Sequence, residues 1–86
     1  MSDPNACRIC GFMFNKDPRG EDGKSPLYWI CPCCGGEVGV DDANLERIRE
    51  YRRKWLFAGA PWFDSEEKSR GWKLQEQLPS VPEDYR

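Results

Sequence analysis

Four of the chain's five cysteines fall into two Cys-x-x-Cys pairs, Cys7 with Cys10 and Cys31 with Cys34. Two such pairs joined by a linker have the spacing of a tetrahedral site in which four thiolates surround one metal ion. In a tight turn the two sulfurs of a pair point the same way, and a glycine after the second cysteine supplies the positive φ that such a turn tends to need. Gly11 and Gly35 hold that place in both pairs. The chemistry on offer is metal binding through sulfur, and a tetrathiolate suits Zn2+ and a single Fe ion alike.

The fifth thiol, Cys33, lies inside the second pair as Cys31-Pro32-Cys33-Cys34. Because Gly35 follows Cys34, the expected ligand is Cys34, with Cys33 pointing out of the turn as a spare thiol; a reserve-ligand or redox role is the alternative. The odd cysteine count argues against a disulfide framework. So does the opening Met-Ser-Asp-Pro-Asn-Ala, which lacks the basic and apolar stretches of a secretory signal. Reduced thiols in the cytoplasm are the expectation.

Catalysis is not expected, because histidine is absent and a four-cysteine site leaves the metal no open position for water. Nor is a membrane span, since no stretch approaches about 18 consecutive apolar residues. A formal net charge of −2 lacks the basic excess that phosphate-backbone binding demands, so nucleic acid is disfavoured as a partner. No small-molecule substrate is expected either.

Positioning the cysteines falls to short elements. At 86 residues the chain is expected to be a single domain, 1–86. A hydrophobic core of that size contributes by itself only about 3 to 5 kcal/mol of net stability. A metal staple would supply the rest. Three parts follow from composition: a metal-binding ribbon over 7–42, a helical, aromatic-rich part over 43–78, and an extended tail over 79–86. Phe12-Met13-Phe14 alternates as a strand does, Asn15 to Pro26 reads as a solvated loop, and Leu27 to Ile30 reads as the returning strand. From Ala43 to Ala58, Leu45, Ile48, Tyr51 or Arg52, Trp55 and Leu56 form a helical stripe, with Asp42 as cap and Gly59 and Pro61 as the stop. Asp64 to Glu67 has capping-box spacing, and a last short helix is expected over about Trp72 to Leu78. The fold class is thus α+β: a small ribbon-type β hairpin with one main helix and a short C-terminal helical segment.

Cys7 to Phe14, read with Trp29-Ile30-Cys31-Pro32-Cys33-Cys34-Gly35, resembles the two metal loops of rubredoxin-like proteins and zinc ribbons. That resemblance implies the ribbon fold for residues 7–35 and a bound zinc or iron. The second half, with Gly39 to Asp42, Arg52, Trp55, Gly59 to Phe63 and Gly71-Trp72, resembles small bacterial proteins bearing a Cys-Pro-Cys-Cys ribbon, a group that includes proposed immunity proteins of toxin systems.

Function is therefore expected to be that of a zinc-stabilised protein-interaction module, with an immunity or adaptor role implied by the resemblance. A one-iron electron carrier and a nucleic-acid-binding ribbon are the alternatives. Tryptophans at helical spacing are usually core, yet Trp62, after a proline at the helix exit, is the expected exception. The expected partner surface is Trp62 and Phe63 together with Arg52 and Arg53 of a helix whose other charges can pair along its face.

Overall fold

Each Cys-x-x-Cys turn closes on its own flanks. In the computed structural model, which describes residues 4–86, Cys7 N–H donates to Phe12 O, Gly11 N–H to Cys7 O and Phe14 N–H to Asn5 O, around a single antiparallel bridge between Ala6 and Met13. The second turn repeats the pattern at a constant offset. Cys31 N–H donates to Gly36 O, Gly35 N–H to Cys31 O and Val38 N–H to Trp29 O, around an Ile30–Glu37 bridge. Gly11 has φ +86° and Gly35 has φ +77°. Both are in the left-handed conformation that the motif requires.

This local closure overturns the expected ribbon hairpin. Among the described residues there is no β-strand, only the two bridges, and the α+β assignment gives way to helices and turns around two knuckles. The physical reason lies in partner choice. Residues 12–14 bond back to residues 5–7 of their own knuckle, so they are unavailable to Leu27–Ile30. Tyr28, at φ +57°, also interrupts the extended run that a returning strand needs. The linker is not simply solvated either. Pro18 is fully buried, and Arg19 is buried in an ion pair with Asp42.

Helix α1 spans Leu45–Phe57 and starts two residues later than the stripe implies. Asn44, not Asp42, is its cap, its side chain accepting from Arg47 N–H at 2.9 Å. Asp42 is unavailable because it is occupied by Arg19 and by Gly39 N–H. The stop is as read from the sequence. Gly59 has φ +93°, and the bonds Gly59 N–H to Leu56 O and Ala60 N–H to Trp55 O make a Schellman motif. Ile48 and Trp55 are the helix's buried residues; Leu45 and Leu56 lie at its margin.

Beyond α1 come a 3₁₀ turn at Ser65–Glu67 capped by Asp64, helix α2 at Leu74–Gln77, and 3₁₀ turns at Leu78–Ser80 and Glu83–Tyr85. The tail is folded rather than extended: Val81 and Pro82 are buried, and Arg86 bonds back to Val81 O and Pro79 O. All five cysteines belong to the central cluster with Ile9, Phe14, Val38, Ile48 and Trp55. The cysteine cluster and the core are thus one structure.

Candidate metal centre

Cys7, Cys10, Cys31 and Cys34, all buried, bring their Sγ atoms within 4.8 Å of one another. A tetrahedron with metal–sulfur bonds of about 2.3 Å has sulfur–sulfur edges of about 3.8 Å. The observed Cys7–Cys34 and Cys10–Cys31 separations are 3.8 and 3.7 Å. Each close pair takes one sulfur from either knuckle, so the cluster ties the two turns together. Four cysteines at this spacing can hold a metal ion.

The electrostatics are compatible with that role. Hydrogen bonds from Cys10, Cys31 and Cys34 hold the Cys7 thiol well below its ordinary range, although burial opposes this. Cys10 goes the other way, pushed far up by hydrogen bonding to Cys31 and then Cys33. One thiolate is stabilised by its neighbours' protons, and further ionisation is resisted. A cation among them would let all four ionise together.

The knuckle backbones are gripped from outside by residues that are adjacent in α1. Tyr51 Oη donates to Cys34 O at 2.8 Å, while Arg52 donates through Nε to Ile9 O at 2.6 Å and through Nη2 to Arg8 O at 2.8 Å. Arg52 also reaches Tyr85 O. Burial lowers the pKa of this guanidinium, and the nearby Cys7 opposes that shift. The second knuckle is backed further by Phe63 N–H on Cys33 O and Asp64 N–H on Pro32 O. Packing is tight there as well, since a Cβ on Gly36 would lie 2.7 Å from Ile9 Cδ1.

Cys33 is not a solvent-facing thiol. It is fully buried, and Gln77 Nε2 donates to its sulfur at 3.3 Å and to Cys10 O at 3.1 Å, while Gln77 Oε1 accepts from Trp72 Nε1 at 2.7 Å. The expected partner residues separate in the same way. Trp62 is half-buried, edge-on to Phe12 and Trp72 with ring centroids at 5.9 and 5.4 Å, and its Nε1 is buried without a partner among the described residues. Arg52 is committed to main-chain carbonyls. Phe63 and Arg53 remain exposed.

Sequence reasoning did not anticipate Gln77 or Arg19 as structural residues. The stripe position shared by Tyr51 and Arg52 was a signal for those two; for Arg19 and Gln77 there was none. Compared with known proteins, the chain matches no family model, no curated protein and no solved structure. The resemblance of residues 7–35 to rubredoxins and zinc ribbons therefore rests on the motif residues alone.

Proposed function

We propose that the chain is a zinc-stabilised protein-interaction module, and one observation carries this reading. Leu27, Tyr28, Trp29 and Ile30 are consecutive and all exposed, at 46, 58, 37 and 41%. The non-glycine Tyr28 is held at φ +57° beside the second knuckle. Exposing four large apolar side chains in a row costs solvation free energy, and a left-handed backbone at Tyr28 adds strain of about 1 to 3 kcal/mol. Trp29 also packs on the Phe14 ring, at 5.9 Å between centroids, and large apolar side chains left exposed in succession support an interaction site there. The ion replaces the missing core and holds that run rigid for a protein partner, which lowers the ordering cost of binding.

Zinc is favoured over iron because a closed tetrathiolate buried in the core has a sufficient role in folding, and no redox partner site is needed to account for it. Five unpaired thiols suit a reducing compartment, the cytoplasm. Among the described residues, no helix is long and apolar enough to cross a membrane. The basic helix supports nucleic-acid binding poorly: Arg52 and Arg49 are bonded to carbonyls and Lys54 to Glu50.

The test has two arms. Elemental analysis and colour of protein purified without added metal distinguish zinc from ferric iron. A photoreactive residue at Tyr28 should give a discrete cross-linked protein in the native cell, and replacing Leu27 and Ile30 by serine should abolish it while metal content and helical signal stay unchanged. A cross-link indifferent to the serine pair, or none, sinks the interaction reading.

A further inference from the structure

Two apolar faces of the chain lie open, and they differ in charge. At the C-terminal end of α1, Phe57 is 94% exposed and Leu56 beside it is exposed as well. Arg53 precedes Phe57 by four residues and so shares its face of the helix. It is exposed and, among the described residues, makes no ion pair and no side-chain hydrogen bond, whereas the adjacent Lys54 is paired with Glu50.

The other face is the run Leu27 to Ile30. Ile30 stands opposite Glu37 in the bridge of the second knuckle, and the bonds that flank them, Cys31 N–H to Gly36 O and Val38 N–H to Trp29 O, make the two a non-hydrogen-bonded antiparallel pair. Side chains of such a pair lie close together on one face. The Glu37 side chain therefore borders the apolar run, and among the described residues it has no ion-pair partner. Neither face covers the other within one chain, because both are exposed. Helix α1 carries five cations against two carboxylates in a chain of formal net charge −2, so the rest of the chain is acidic.

We infer that the occupant of the Leu27 to Ile30 face is a second copy of this chain, which seats the Leu56–Phe57 end of its α1 there and brings its Arg53 to Glu37. This rests on the reading of that run as an interaction site and names its partner. The two faces complement each other: each is apolar at its centre, and the unpaired cation beside one matches the unpaired carboxylate beside the other. An exposed aromatic next to an arginine is also the residue combination enriched in binding hot spots. A second copy covers both open faces with residues the chain already has. Because the two faces that meet are different, the contact is heterologous.

The experiment is sedimentation velocity of the intact, metal-loaded chain over a range of concentrations. Association should be half complete between about 10 and 1,000 µM, as for a small transient contact, and added salt should weaken it. Phe57→Ser, and separately Leu27→Ser with Ile30→Ser, should each weaken it at least about tenfold with metal content and helical signal unchanged. Mixed together, these two variants should pair one to one, since each keeps the face the other has lost. Arg53→Glu should weaken association too, and adding Glu37→Arg to the same chain should recover it. A chain monomeric up to about 1 mM, association indifferent to Phe57→Ser, or variants that fail to pair on mixing would overturn the inference. A monomeric chain that still cross-links from Tyr28 to a different protein would overturn the second copy alone and leave the interaction site standing.

Discussion

Gln77 donates through Nε2 to Cys33 Sγ at 3.3 Å, which joins α2 to the one cysteine outside the metal cluster. Cys33 is therefore a structural thiol. Cys33→Ser should keep one metal per chain but lower stability by about 1 to 2 kcal/mol, since a shorter, more polar group replaces a fully buried sulfur. Cys34→Ser should lose the metal. Metal stoichiometry and denaturant midpoints of the two variants check this, and a Cys33→Ser protein without metal would reverse the ligand register.

Arg52 holds the first knuckle by the carbonyls of Arg8 and Ile9, so its truncation leaves buried acceptors unpaired. Arg52→Ala should cost about 2 to 4 kcal/mol at fixed free metal, and Arg52→Lys should recover only part, because a point ammonium cannot reproduce the fork. Arg53, one residue on, is exposed. Its replacement by alanine should fall within about 0.5 kcal/mol of wild type. Urea denaturation of the three variants separates structural from surface arginine.

Two glycines of similar backbone conformation should respond differently to alanine. At Gly59, φ is +93° and an added Cβ would meet nothing within 4 Å. The cost there is the left-handed strain alone, about 1 to 2 kcal/mol. At Gly11, φ +86°, the added Cβ would lie 2.5 Å from Gln77 O, so the C-terminal segment must also move. Gly11→Ala should cost clearly more than Gly59→Ala in thermal melts, and equal losses would show that α2 yields freely.

Chelation should unfold α1 together with the knuckles. Its buried residues, Ile48 and Trp55, pack in the same cluster as the cysteines. Structural zinc contributes about 10 to 16 kcal/mol of apparent binding free energy to folding. Far-UV helical signal and metal content should fall in one transition. A helix persisting in the metal-free protein would show that residues 43–86 fold without the ion.

What could be read from the residues divides along the range of the interactions. The knuckle register was legible because Gly11 and Gly35 report a local backbone demand, and the end of α1 because Gly59 and Pro61 do the same. The hairpin was misread because alternation at Phe12 to Phe14 tells which faces a segment presents and not which segment it pairs with. Asp42 and Asn44 are both good caps, and the choice between them was made by Arg19, distant in the sequence. Trp62 and Arg52 looked like binding residues by type. Their neighbours Phe12, Trp72, Arg8 and Ile9 leave them half-buried, while Phe63 of the same surface is exposed and a further run of exposed apolar residues lies at Leu27 to Ile30.

Each knuckle closes through bonds between residues close in sequence, from Gly11 N–H on Cys7 O to Phe14 N–H on Asn5 O in the first. Each can therefore form in the time of a small loop closure, about 10 to 100 ns, before the two halves meet. An incoming ion then encounters two pincers of two sulfurs. Their meeting across the intervening loop is also fast, and its entropic cost rises by only about 0.6 kcal/mol for each doubling of loop length. Association with metal should accordingly be biphasic in stopped-flow, with a rapid phase that depends on metal concentration for capture of the ion and a slower phase, independent of it, for packing of α1 and the C-terminal segment around the closed site.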